Sequence, residues 1–207
     1  MLALKLERMH LAAAGLDYAP EEFSECFMGL AQPAFRAALM ADSLQRLGAG
    51  LPDSFFAQLG AAKRHALETR LQAVPGARQA AAAWAGMKAV ASSSPREELL
   101  AKLQRTGLRA LFEPHIYSAE QVARGKPAPD VFLFAADRLA AAANTCLVIE
   151  DSVNGVLAAC AAGMRVWGFI GGAHADQALG RRLAEVGAGR IIAHHEALIA
   201  ALAEDQV

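Results

Sequence analysis

The sequence predicts an α/β protein: a parallel sheet covered by helices, with a smaller all-helical unit attached to it. Two observations carry this reading. From Met1 to about Leu71 apolar residues recur only at helical spacing, three and four apart. After Val74-Pro75-Gly76 short apolar runs alternate with longer amphipathic ones, the pattern of repeated strand–helix–strand units. A chain of 207 residues is long enough for a core with an appended unit, so 1–72 are expected to be helical and 73–207 to be α/β.

The elements follow in order. Apolar spacing from Leu2 to Leu11 marks a first helix, which stops at Gly15-Leu16-Asp17. Pro20 followed by Glu21 and Glu22 opens a second, with proline in the first turn and acid at the positive end of the dipole. Phe23, Phe27 and Leu30 share its apolar face, and Gly29 ends it. Two more helices are expected over 35–47 and 52–71. Strands are then expected at 87–91, 115–117, 147–149, 166–170 and 191–192, separated by helices at 79–85, 95–105, 129–142, 153–162, 177–184 and 196–203. Gly107 and Gly163 each stand just past a helix, where a left-handed residue closes the last turn.

The composition narrows the partner. With 55% hydrophobic residues, 20% charged residues and net charge −1, the chain has no basic footprint for nucleic acid or for an anionic membrane. A small molecule is the expected partner. No apolar run reaches the roughly 18 residues of a membrane span. Cys26, Cys146 and Cys160 are odd in number and widely spaced, which suggests reduced core thiols in a cytoplasmic protein. His10, His65, His115, His174, His194 and His195 show no ligand spacing, so zinc is not expected and the histidines read as structural or solvated.

Three segments carry chemistry. Ser92-Ser93-Ser94-Pro95 closes the first strand and opens a helix: Ser94 with Glu97 has capping-box spacing, whereas Ser92 stands where a hydroxyl and the following N–H groups can hold a phosphoryl oxygen. Gly125-Lys126-Pro127-Ala128-Pro129-Asp130 pins a lysine between a glycine and two prolines, a stiff loop that aims an ammonium in advance. Glu150-Asp151-Ser152 follows the apolar run 146–149. The acids can serve the dipole of the next helix, or they can gather a hard cation at the mouth of a buried sheet, because adjacent carboxylates repel unless something neutralises them. GxGxxG, GxxxxGK[ST] and GxSxG are absent from the sequence.

Taken in order, Val90-Ala91-Ser92-Ser93-Ser94, the Lys126 loop and Val148-Ile149-Glu150-Asp151-Ser152-Val153-Asn154-Gly155 resemble motifs two, three and four of the haloacid dehalogenase superfamily. The resemblance is to its first subfamily, the β-phosphoglucomutase-like phosphatases with a helical cap. Gly15-Leu16, Phe27-Met28-Gly29-Leu30, Val74-Pro75-Gly76 and Ala161-Ala162-Gly163-Met164 extend it along nearly the whole chain. It implies a Rossmann-like core with a cap domain and a Mg²⁺-dependent phosphomonoesterase acting on a small phosphorylated metabolite through an aspartyl-phosphate. It further implies that Ser92 and Ser93 bind the phosphoryl group, that Lys126 bridges phosphate and nucleophile, and that Glu150 and Asp151 hold Mg²⁺. Gln32 would face the substrate, where the sugar phosphomutase carries an arginine.

The resemblance has one gap. Motif one, a first strand and an aspartate-bearing loop that supply the nucleophile and the general acid/base, has no counterpart: no two aspartates are two residues apart, and Asp17 lacks a preceding strand. The expectation is a chain shortened by roughly 15–20 residues, the length of one strand and its loop, and inactive as it stands. A monomer is expected for the full-length form. Two alternatives stay open, a non-catalytic phosphometabolite-binding or regulatory protein and a sugar phosphomutase. A dehalogenase, which needs no Mg²⁺, is disfavoured by Glu150-Asp151.

Overall fold

The structure is a computed structural model that describes residues 2–172, 175 and 177–205; His174 lies outside them. Four helices form the N-terminal layer: α1 (Leu2–Ala13), α2 (Pro20–Phe27), α3 (Gln32–Leu47) and α4 (Asp53–Arg70). Pro20 opens α2 with Glu21 and Glu22 in its first turn, and Gly48, at φ 71°, closes α3 by donating its N–H to Leu44 O. The layer buries its own cluster around Leu11, Leu16, Phe23, Phe27, Leu39 and Phe55. The buried Tyr18 ring meets Phe23 and Phe27 edge-on at 5.8 and 5.4 Å, while its hydroxyl donates to Asp42.

The remainder alternates helix and strand: α5 (Ala77–Ala83), β1 (Val90–Ser92), α6 (Arg96–Arg105), α7 (Arg109–Phe112), β2 (Ile116–Ser118), α8 (Asp130–Arg138), β3 (Leu147–Glu150), α9 (Val153–Ala161), β4 (Arg165–Phe169), α10 (Gln177–Glu185), β5 (Arg190–Ile192) and α11 (His195–Asp205). All strand pairings are parallel. Among the described residues they form two sheets, β1–β2 and β3–β4–β5, with Val90 opposite Ile116 and Leu147 opposite Arg165. Val131, Val156, Ala158, Val166 and Leu183 make the main core under β3 and β4.

β1 and β3 face each other across a cleft of about 670 Å³ lined by Val90, Ala91, Phe132, Val148, Ile149 and Leu198. Strands inside a parallel sheet are normally buried on both faces. Here Ile149 is 36% exposed, because the cleft separates the two sheets at that point.

Several expectations need correction. The first strand starts at Val90, not 87: the Trp84 indole donates to Met87 O and Lys88 Nζ donates to Trp84 O, which folds the preceding residues into an irregular turn. α8 ends at Arg138 rather than 142, since Ala140 takes φ 51° and a short 3₁₀ turn follows at Ala143–Thr145. The four-residue α7 was not expected at all. Ser94 makes no capping box: Pro95 is the N-cap, Glu120 accepts the Arg96 N–H, and the Ser94 hydroxyl is taken by Lys102 Nζ at 2.9 Å. The thiols are not core thiols either. Cys26 and Cys160 fall on exposed helix faces, Cys146 is half-buried, and none of the three forms a disulfide.

Candidate active site

β1 and β3 deliver their carboxyl ends to one cavity of about 400 Å³ beneath the helical layer, the position where open α/β sheets bind ligands. Ser92, Ser93, Lys126, Glu150 and Asp151 line it from the sheet side, and Gln32 lines it from the helical side. All six sequence-derived candidates therefore meet at one place, although 118 positions separate Gln32 from Glu150 along the chain.

Lys126 anchors the floor. It is 6% exposed, its Nζ donates to Glu150 Oε2 at 2.7 Å, and it lies 4.5 Å above the Phe132 ring. Glu150 is held from the other side by the Ser152 hydroxyl, which donates to Oε1 at 2.7 Å. Ser152 also accepts the Gly155 N–H at 3.0 Å and so caps α9. The capping role belongs to Ser152 alone, which leaves the two acids facing the cavity. Ser92 Oγ accepts the Ser94 N–H at 3.1 Å, so the turn after β1 is wrapped around the hydroxyl.

Asp151 opens onto the cavity, yet the protein packed around it pushes its carboxyl up to about 6. Glu150 beside it adds to the rise, and Lys126 opposes it. Two carboxylates thus share one ammonium. The donor set suits a hard cation: among the described residues no cluster of three or more acidic or histidine ligands exists, but Mg²⁺ commonly takes one or two carboxylates and completes its shell with water and phosphate. The sign of the pH effect follows. A carboxyl raised on folding favours the folded state when protonated, so the stability it contributes is lost as pH rises through about 6. Asp151→Asn is expected to flatten that decline in the metal-free protein. Thermal melting between about pH 4 and 7, which spans the ordinary and the raised value, checks it, and an unchanged slope in the variant would count against the shared-charge arrangement.

Ser93 and the turn at Gly29 were legible in the sequence, but not the contacts by which they close the cavity. Ser93 Oγ donates to Gly29 O at 2.7 Å and Asn154 Nδ2 donates to Met28 O at 2.7 Å, tying the turn after α2 onto the sheet. Gly29, at φ 84°, rests on this contact: a Cβ there would stand 2.7 Å from Ser152 Oγ. Glu7 and Lys63 also line the cavity from α1 and α4. The glycine was visible as a helix stop; the Glu7–Lys63 pair had no local signal.

A family model described as haloacid dehalogenase-like hydrolase matches residues 4–163. The chain belongs to that family. Among solved structures, a haloacid dehalogenase-like protein of unknown function from Agrobacterium tumefaciens superposes with a TM-score of 0.85 at 30% identity, over 99% of this chain and 91% of that one. A family hydrolase from Deinococcus radiodurans, solved with bound phosphate and sodium, gives 0.75 at 33% identity over 99% and 89%. The phosphorylated carbohydrates phosphatase of Thermotoga maritima is 34% identical over 111 residues, 53% of this chain and 49% of that protein. The chain spans half or less of the length of the curated relatives it matches. As a haloacid dehalogenase-like hydrolase it has the fold the sequence predicted, a parallel α/β core carrying helices over its active end. No helix among the described residues is long and apolar enough to cross a membrane.

Proposed function

We propose that this chain supplies the phosphate- and Mg²⁺-binding part of a phosphomonoester hydrolase acting on a small phosphorylated metabolite. The supporting observation is the convergence of Ser92, Lys126, Glu150 and Asp151 on one cavity at the carboxyl ends of β1 and β3. In this reading the Ser92 hydroxyl and the Ser93 N–H hold nonbridging phosphoryl oxygens. Lys126, already buried and aimed, offsets charge without ordering at the moment of reaction. Glu150 and Asp151 would hold Mg²⁺, which neutralises the phosphoryl oxygens as negative charge builds during transfer. Relatives support the substrate class: a fructose-1-phosphate phosphatase and a hexitol phosphatase of Escherichia coli are among them.

The nucleophile is a separate matter. None of the cavity residues is a second aspartate placed as an attacking group; Asp151 is spoken for by the cation site. We place the nucleophilic aspartate on a strand seated in the cleft between β1 and β3. That cleft is apolar, its rims are the edges of two parallel strands, and a strand lying parallel to both would end at Ser92 and Glu150. The attack would form an aspartyl-phosphate for water to hydrolyse.

A phosphatase assay with Mg²⁺ tests this. Residues 1–207 alone are expected to show almost no turnover, and the same chain preceded by a strand and an aspartate-bearing loop should turn over. In that extended form Lys126→Ala and Asp151→Asn should each abolish activity. Robust activity from residues 1–207 alone would overturn the placement of the nucleophile.

A further inference from the structure

The turn that joins α2 to α3, residues 28–31, meets all three segments that carry the proposed phosphoryl and cation groups. From the turn after β1, the Ser93 hydroxyl donates to Gly29 O. From the first turn of α9, the Asn154 amide donates to Met28 O. Gly29 lies so close beside it that an added Cβ would stand 2.7 Å from Ser152 Oγ and 3.1 Å from Asn154 Cβ. From the lysine loop, Gly125 passes Ala31, where an added Cβ would stand 2.9 Å from the alanine's own. A carbonyl enclosed between two layers needs a donor, which alone would account for two hydrogen bonds. What the turn covers says more. Ser152 is 2% exposed beneath it and donates to Glu150 Oε1, Ser93 carries the N–H proposed for phosphate, and Gly125 leads directly into Lys126.

We propose that Asn154 and the Ser93 hydroxyl are positioning groups: by fastening the turn over Ser152 they keep the Ser93 N–H, Lys126 and Glu150 in the arrangement that takes phosphate and Mg²⁺, so that seating of the turn and occupancy of the floor strengthen each other. The inference rests on the phosphoryl and cation site proposed above. Asn154 stands outside the cavity lining, and its effect passes through the turn. Gly29 transmits the contact, because only a glycine brings backbone this close to Ser152. With the turn seated, Ser152 accepts the Gly155 N–H and donates to Glu150 while bulk water is kept from its hydroxyl. With the turn lifted, water reaches Ser152 and Glu150, the local dielectric rises, and the charges aimed at phosphate and cation act more weakly. Linkage makes the effect reciprocal: a ligand that favours the seated turn stabilises it by the same factor.

Two measurements on the 207-residue protein test this, calorimetry with inorganic phosphate in the presence of Mg²⁺ and hydrogen exchange at the backbone amides of residues 28–31. The double variant Ser93→Ala/Asn154→Ala removes both fastenings and keeps every backbone N–H. It is expected to weaken phosphate about tenfold, the worth of one or two ordinary hydrogen bonds, and Asn154→Ala alone should act in the same direction. In the parent protein, Mg²⁺ and phosphate together should slow exchange across the turn about fivefold or more, and leave α10, which does not line the cavity, unchanged. A role confined to holding the two layers together would lower stability without either response. The exchange comparison uses the parent protein alone, so it decides even where a variant fails to fold. If phosphate binds but exchange at the turn does not respond, or the folded double variant keeps the parent's affinity, the positioning role falls and the phosphoryl site stands. If phosphate does not bind the parent protein, both fall.

Discussion

Lys126→Met is expected to cost this protein about 3–5 kcal/mol of stability, the usual penalty for removing one partner of a buried ion pair. The methionine keeps most of the stem and its packing on Phe132 but withdraws the charge that faces Glu150 at 2.7 Å. Glu150 is 10% exposed as a side chain and sits next to Asp151, so the variant leaves two adjacent carboxylates without the ammonium that faces Glu150. Urea unfolding measures the loss. Adding Glu150→Gln should recover most of it, because the remaining carboxylate then has no charged neighbour; Mg²⁺ should stabilise the single variant more than the parent protein, since it replaces the missing charge. A loss below about 1 kcal/mol, typical of an exposed pair, would mean that Lys126 is not the charge on which the floor depends.

The same residues show why the floor was legible in the sequence. Ser92, Lys126, Glu150 and Asp151 each sit in a short segment with its own local physics: a strand end, a proline-stiffened loop, a pair of acids after an apolar run. In parallel sheets all such strand ends lie on one side, so identifying the strands already brings the segments together. The helical wall offered no such shortcut. Glu7 and Lys63 are 56 residues apart on two helices, and only the packing of α1 on α4 makes them neighbours. Gln32 reached the cavity as expected, but through the first turn of α3, three residues before that helix was expected to begin.

The misreadings have the same root. Ser94 and Glu97 have capping-box spacing, yet Glu120 reaches across from the segment after β2 to take the Arg96 N–H, and Lys102 claims the serine hydroxyl. A local pattern lost to two partners that local spacing does not reveal. The cysteines failed differently: their number and spacing do not say which way a helical side chain points, and Cys26 and Cys160 point outward. Periodicity fixed element type well throughout, while boundaries moved by a few residues wherever a side chain caught the backbone first, as Trp84 and Lys88 do ahead of β1.

Gly155→Ala should change sign with its background, and that makes it the sharpest probe of how Glu150 is held. Gly155 lies in the first turn of α9, and alanine in a helix is ordinarily favoured over glycine by up to about 1 kcal/mol. Here a Cβ would stand 1.9 Å from Glu150 Cδ and 2.2 Å from Oε1. A flexible carboxylate could swing away at little expense, but this one is gripped by Lys126 on one oxygen and by Ser152 on the other. Moving it breaks both contacts and leaves Lys126 buried without its partner. The expected outcome in the parent protein is a loss of about 3–5 kcal/mol, the penalty for leaving one partner of a buried ion pair alone, together with loss of Mg²⁺ and phosphate binding. In the Glu150→Ala background the obstacle is gone, only the helix preference remains, and the same substitution should stabilise by several tenths of a kcal/mol up to about 1. Equal effects in the two backgrounds, read from paired unfolding curves, would mean that Glu150 is free to move and that the floor of the site is not fixed by its ion pair.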